Sequence, residues 1–417
     1  MCRPAIPPLL LFLCSLLICV TFTLSSDPLP LQDDAAQYFR LAENVADGKG
    51  FTLDGTDPYA YRAPLFSALL GVWFVATGHA TVLSARLYQC TCIALSVVFA
   101  YYLAMEIFGR RRTATVVASL LAIHPSVVTS TAFILQEPTL LLVTTLTVWG
   151  TLRWFRLGGR GAAAAAGASW GVATLGKVVT AFLPMMPFIF LLLRGKRGAR
   201  VSVLQTLWAC AAFAMVLLPW TARNYYHFHR LIPVNDQGMG MLEWNVRHAN
   251  PQGGETLGFV SNLARSFHDR RADPAKANGE AFVEALDDQG VRGDARRDRL
   301  VEYVSKHWRY FLAQRVWNAV YFALPSIDWW IYSGKVRNAA ENFAVLAFAL
   351  VILPFYVFLA VRVWGLVGGA YPGYAILYVV LFFLCYWGTY AMLVGEPRFS
   401  LPVYPCLISL APWEKWA

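Results

Sequence analysis

Charge is scarce in this chain. Only 14% of its 417 residues are Asp, Glu, Lys or Arg, against about 25% in an ordinary soluble domain, which excludes a solvated surface over most of its length. Its eight cysteines lie in or beside apolar runs, with none in the polar segments, so neither a disulfide framework nor a metal finger follows. Cys90 and Cys92 are two apart, do not form a C-x-x-C site, and read as small packing residues. A phosphate-cradling glycine loop is missing too, because Gly238-Met239-Gly240 lacks the third glycine and the strand-turn-helix setting. No internal repeat is found. His227 and His229, two apart, point to opposite faces, and His124-Pro125 reads as a helix kink, so no metal and no cofactor are expected.

What the chain has in abundance is apolar sequence: 57% hydrophobic residues, 15 Trp and a mean hydropathy of +0.48. It is therefore a polytopic membrane protein. Its net charge of +10 does not imply nucleic acid, since Arg and Lys collect in short segments between apolar runs, as cytoplasmic loops require. The expected class is all-α with about ten spans. These are Pro7 to Leu24, Leu83 to Phe108, Thr113 to Thr131, the return to Trp154, two short spans within Ala162 to Leu193 joined at Gly176-Lys177, Val203 to Trp220, Phe343 to Val361, Tyr374 to Leu393, and Phe399 to Trp413. Pro64 to Thr77 is only long enough for an interfacial helix, and Phe311 to Ile331 reads as a helix resting on the bilayer. The run Ala162 to Ala166 is expected to serve close helix packing. With no small-x-small cleavage site before Asp33, the first span is expected to be retained. Three segments follow: residues 1–220 with a first external loop at 25–82, an external region at 221–337, and the last helices at 338–417.

Arg110 to Arg112 and Arg153, Arg156 and Arg160 mark the cytoplasmic side. That orientation puts Asp33, Asp34, Arg62, Glu137, Lys177, Arg223 and Arg398 at or just beyond the external ends of spans. Each costs about 2.5 to 3.5 kcal/mol if it enters the apolar centre, so retaining them together suggests a shared polar cavity. Asp34 and Tyr38 are four apart and share a helix face, whereas Asp33 is turned about 100° away and suits an N-cap. Glu137 precedes Pro138 at a helix start, where a dipole role is the plain alternative. Lys177 has no acid four residues away, and Arg223 and Arg398 emerge beside Trp220 and Pro397. Snorkelling is the rival account of all three cations.

The pattern resembles a known family. Asp34 to Tyr38, Leu41-Ala42-Glu43-Asn44, Gly48-Lys49-Gly50-Phe51 and Tyr61-Arg62-Ala63-Pro64-Leu65-Phe66 are similar to the first external loop of the multi-spanning C-type (GT-C) glycosyltransferases. The kin are bacterial members related to protein O-mannosyltransferases and to the aminoarabinose transferase of lipid A. The likeness continues through Leu135-Gln136-Glu137, Pro219-Trp220-Thr221-Ala222-Arg223-Asn224-Tyr225, and Glu396-Pro397-Arg398-Phe399 with Leu401-Pro402. It implies a sugar donor on a polyprenyl phosphate and transfer to a hydroxyl of a glycan, lipid or protein on the outer face. By position it makes Asp34 the catalytic acid of the loop, with Tyr38 beside it, and Glu137 the second acid. Lys177 departs from the arginine-proline of many relatives, and Arg62-Ala63-Pro64 from their paired prolines. The soluble tail domain of some relatives is expected to be absent.

The chemistry suits these residues. An acceptor hydroxyl must lose a proton as it attacks the anomeric carbon, and a carboxylate within reach takes it; Asp34 is the expected base, with inversion. The departing lipid phosphate gains charge, which Lys177, Arg223 and Arg398 would stabilise, with Asp33, Tyr38 and Arg62 in support. Asn235, Asp236, Glu243, Trp244 and Asn245 suit sugar recognition. A bacterial inner membrane with the site facing the periplasm is the expected location. The alternative is a lipid-linked-sugar flippase or transporter, whose sites lie near the bilayer midplane; a receptor whose external loop binds a partner is a further one.

Overall fold

In a computed structural model the described residues are 8–26, 31, 33–193, 201–247, 278–323, 352–367, 373–393 and 397–411. Among them every regular element is a helix, and the extended pairing seen is a single bridge between Thr52 and Pro58. The chain forms two compact units: residues 1–235, 323–386 and 397–417, and residues 236–322 with 387–396.

The first unit contains α1 (Pro8–Ser25), α2 (Asp33–Ala46), α3 (Pro64–Thr77), α4 (Val82–Phe108), α5 (Arg111–Ile123), α6 (Pro125–Thr129), α7 (Glu137–Leu157), α8 (Arg160–Gly176), α9 (Met186–Leu193) and α10 (Val203–Phe228). Their boundaries have local causes. Thr81 caps α4 by accepting from the Ser84 N–H at 3.1 Å, and Ser202 caps α10 through Gln205 at 3.3 Å. Pro64 and Pro138 open α3 and α7, where a missing N–H costs nothing. Gly109 closes α4 in a left-handed conformation, with a φ of 65°.

Among the described residues four helices, α1, α4, α10 and Tyr374–Met392, are long and apolar enough to cross a membrane, and α5 with Pro125–Ala132 makes a fifth if that pair, bent by 50°, is one span. The bend falls at His124-Pro125, as the sequence suggests. Three expected boundaries move. The helix expected to end at Trp220 runs on to Phe228, so Arg223 lies inside it. The stretch expected to span from Phe399 is a 3-10 turn, Pro397–Val403, followed by Tyr404–Ile408, because Pro402 and Pro405 remove two backbone donors. The expected spans joined at Gly176-Lys177 do part there, but the second begins as a 3-10 stretch, Val178–Met185. Residues 343–351 of one expected span, and Pro325, Asp328, Trp329 and Trp330, lie outside the described residues.

Two contacts hold this unit together in ways composition does not announce. Arg86 is buried within α4, and its guanidinium donates to the Thr131 carbonyl at 3.1 Å, the Ser26 carbonyl at 3.2 Å and Ser26 Oγ at 2.5 Å. It thus satisfies carbonyls that a helix end and a bent segment would leave bare. On α8, a Cβ at Gly167 would stand 1.9 Å from the Ala209 carbonyl oxygen, and one at Gly171 would stand 2.6 Å from Val216. The two glycines let α8 and α10 touch backbone to backbone.

The second unit comprises α11 (Gly238–Arg247), α12 (Asn278–Asp288), α13 (Gly293–Lys306) and α14 (Trp308–Phe322), with a core of Val246, Val283, Leu286, Leu300 and Phe311. Glu243 accepts from Arg247 at 2.9 Å and Arg296 at 3.0 Å, and both arginines also reach Asp287. Burial alone would raise the Glu243 carboxyl, but the hydrogen bonds from Arg296 and Arg247 outweigh it and hold it below its usual value.

Gly167→Ala is expected to destabilise the detergent-solubilised protein by about 1 to 3 kcal/mol through overpacking. Gly161→Ala, where a Cβ meets nothing within 4 Å, leaves the thermal midpoint unchanged. For Glu243 the folded value lies below the unfolded value of 4.5, so its stabilisation is complete above that pH and is lost as pH falls through the folded value. Helix content followed during acid titration should show Glu243→Gln lowering stability at neutral pH and flattening the acid dependence.

Candidate functional site

The site is built on α2. Its buried face, Tyr38, Leu41, Ala42 and Asn44, lies on α3, where Gly71 admits Val45 and the Ala42 carbonyl so closely that a Cβ would sit 2.8 to 2.9 Å from them. Ser67 Oγ donates to the Tyr38 carbonyl at 3.0 Å, and Asn44 Nδ2 to the Thr52 carbonyl at 2.8 Å. Gly48 and Gly50, with φ of 73° and 75°, turn the chain so that residues 51–62 fold back along the helix. The first turn of α2 then presents Asp34 to Arg62.

Arg62 Nη2 donates to Asp34 Oδ1 at 2.5 Å and Arg62 Nε to Gln37 Oε1 at 2.9 Å, and the same Gln37 oxygen accepts the Tyr59 hydroxyl at 3.1 Å. The guanidinium lies 5.4 Å from the Tyr38 ring centre and 5.2 Å from that of Tyr61. Burial sets itself against the charge of Arg62, yet its neighbours Tyr38 and Asp34 raise it above the ordinary guanidinium value. Burial pushes the Tyr38 phenol well above its usual range, so it stays neutral.

The other oxygen of Asp34, Oδ2, faces Arg398 Nη2 at 3.7 Å. Arg398 lies 5.1 Å from the Phe399 ring centre, and Lys177 Nζ stands 3.7 Å from that ring centre on its way to Glu137 Oε1, also at 3.7 Å. The side chain of Glu137 is 5% exposed, against 36% for Asp34. One acid is therefore open to a ligand and the other is an internal countercharge. At the far side, Arg223 donates to the carbonyls of Tyr59 at 3.0 Å and Phe51 at 3.1 Å and lies 4.9 Å from the Trp220 ring centre.

Asp34, Tyr38, Arg62, Glu137, Lys177, Arg223 and Arg398 thus lie along one continuous chain of contacts. Asp33 does not join it: among the described residues it makes no ion pair, and its φ of 47° is left-handed, not the extended conformation of a capping residue. Lys177 is not a lone snorkelling cation, because the break between α8 and Val178–Met185 aims it at Glu137. Arg223 ties the loop to α10 through two carbonyls, a tertiary role invisible in sequence. Gln37 was missed, although it sits three residues from Asp34, on the neighbouring helix position. In the second unit Glu243 and Asn245 are committed to internal bonds, Asn245 accepting from Arg315 at 2.9 Å. Among the described residues no three His, Cys, Asp or Glu side chains are grouped to hold a metal ion.

Fold and site define a multi-pass, all-helical membrane protein with a cationic cluster around one accessible carboxylate. Residues 59–232 match the family dolichyl-phosphate-mannose-protein mannosyltransferase. No curated protein matches the chain in sequence. In structure the chain is similar to the archaeal oligosaccharyltransferase AglB from Archaeoglobus fulgidus in complex with an inhibitory peptide and a dolichol-phosphate, with a TM-score of 0.55, 14% identity, and 97% of this chain and 50% of that one covered. The same enzyme tethered to an acceptor peptide gives 0.55 and 15%, covering 97% and 49%. ArnT from Cupriavidus metallidurans bound to undecaprenyl phosphate gives 0.48 and 16%, covering 95% and 77%. The chain spans about half the length of the oligosaccharyltransferase, and likeness at these identities is one of fold.

Removing one partner of the Glu137–Lys177 pair leaves the other charge buried, at a cost of about 3 to 5 kcal/mol. Glu137→Gln and Lys177→Met should each lower the thermal midpoint, and the double variant should lose less than the sum. Strict additivity would mean that the two do not interact.

Proposed function

We propose that this protein is a glycosyltransferase that moves a sugar from a polyprenyl-phosphate donor to a hydroxyl acceptor on the external face of the membrane, with Asp34 as general base. The observation that carries this reading is the charge balance of the cluster. Asp34 and Glu137 supply two negative charges, while Arg62, Lys177, Arg223 and Arg398 supply four positive ones. A site with surplus cations around one accessible carboxylate suits an anion that must sit beside a base. The family match over 59–232 supports a lipid-phosphate sugar as that anion, and the AglB likeness, in a complex holding dolichol-phosphate, agrees with it.

Asp34 Oδ1 is tied to Arg62, whereas Oδ2 stands 3.7 Å from Arg398, beyond hydrogen-bond length. Oδ2 is thus the oxygen we assign to the acceptor proton, which it takes as the hydroxyl attacks the anomeric carbon. The carbon-to-phosphate oxygen bond breaks on the opposite side, so the configuration inverts. The bond electrons go to the lipid phosphate, whose charge rises by about one as the diester becomes a monoester. Arg398 and Lys177 meet that developing charge, which favours the transition state over the bound donor. Arg223 acts at one remove, by fixing the loop that carries Arg62.

Asp34→Asn should cut transfer of a radiolabelled sugar from polyprenyl phosphate by about 10² to 10⁴-fold, the worth of a positioned base, while donor binding persists. Unchanged turnover removes Asp34 from the role. Movement of intact donor across vesicles without consumption would replace the enzyme by a flippase.

A further inference from the structure

Away from the Asp34 cluster, α7 and α8 part around an apolar cleft of about 470 Å³. Trp149 and Arg153 of α7 line it together with Ala162, Ala165, Ser169 and Val172 of α8. Arg153 lies sixteen residues beyond Glu137 on one unbroken helix, about 24 Å at 1.5 Å per residue. The cleft runs along α7 from Val143 to Leu157, and its arginine therefore lies toward the end of the helix opposite Glu137.

The alanine run does not close-pack on this face. The tight approach of α8 is made through Gly167 and Gly171 onto α10, and the alanines leave room opposite Trp149. Sliding cannot shut the gap, because Trp170 Nε1 donates to Thr151 Oγ1 at 2.9 Å and Thr147 Oγ1 donates to the Ser169 carbonyl at 3.2 Å, which fix the register of the two helices. Trp149 is held from behind by Phe99 and Tyr102, with ring centres 5.6 and 6.0 Å away, and the Arg153 guanidinium lies 5.7 Å from the Trp149 ring centre. Neighbouring Arg156 is taken by Glu106. Arg153 and Arg160 are exposed and, among the described residues, have no acidic partner.

An apolar slot in a membrane protein, lined by an aromatic ring and an arginine without an acidic partner among the described residues, has the chemistry of an acyl chain below a negatively charged headgroup. We propose that the cleft binds one chain of an anionic phospholipid whose phosphate rests on Arg153. A zwitterionic lipid would fill the same volume and leave the arginine charge uncompensated. The donor lipid is not the occupant, since its phosphate is assigned to the opposite end of α7.

Full-length protein in neutral detergent is titrated with dibrominated phosphatidylglycerol, or with the matching phosphatidylcholine, and tryptophan quenching is read; Trp149→Phe isolates the contribution of that ring from those of the other tryptophans, Trp154 of the same cleft included. Phosphatidylglycerol should quench Trp149 at lower concentration. Arg153→Gln should reduce that headgroup preference about fivefold, equivalent to about 1 kcal/mol for one basic residue at an anionic surface. Ala165→Phe, which fills the cleft, should abolish the Trp149 component. Arg153→Gln alters only an exposed side chain and keeps the test open if the filled variant does not fold. Equal quenching by the two lipids, a preference that survives Arg153→Gln, or stronger displacement by polyprenyl phosphate than by phosphatidylglycerol overturns the proposal.

Discussion

The constraint on which the rest depends is that charge gathered at the ends of apolar helices has to be answered by charge of opposite sign or by polar contacts close at hand. Desolvating an ion costs several kcal/mol even after relaxation, so these groups cannot stand apart from one another. The Asp34–Arg62 contact is the centre of that arrangement. From it one path runs through Gln37 and Tyr59 to Arg223, and another through Arg398 and Phe399 to Lys177 and Glu137. On the second path Arg398 and Lys177 both lie against the Phe399 ring, whose negative face offsets the nearness of two positive charges.

Backbone economy makes the cluster possible. Gly71 brings α2 and α3 into contact, Gly48 and Gly50 return the loop, and the break after Gly176 turns Lys177 inward. Pro402 and Pro405 keep the segment after Arg398 from becoming one long helix. Each device spends a local irregularity at a point where a polar side chain has to be aimed. Regular helix persists along α4, whose buried Arg86 reaches its partners from within the helix without breaking it.

How much of this could be read from residues alone follows from the range of the interactions involved. Apolar runs bounded by Pro and Gly are local signals, so α3 and α4 were legible almost to the residue, as was the kink at His124. The face shared by Asp34 and Tyr38 is helix geometry and was legible too. The Glu137–Lys177 pair was not, because it joins residues forty positions apart across two helices. Arg86 was hidden for the same reason: its partners, Ser26 and Thr131, lie at the ends of other segments. The continuation of α10 past Trp220 was missed because the apolar run ends there and polar sequence follows, although the helix carries on to Phe228 through Pro219, whose freed carbonyl neighbouring groups can satisfy.

All of these contacts serve one claim, that acid and cations share a single chamber open to one side of the membrane. Asp34→Cys and Arg398→Cys, introduced singly into a cysteine-free background in sealed right-side-out vesicles, test it with a membrane-impermeant thiol reagent. Both positions should react from the outside, and neither should react in inverted vesicles. Reaction of the two from opposite sides would contradict the account, because no common chamber could then hold them.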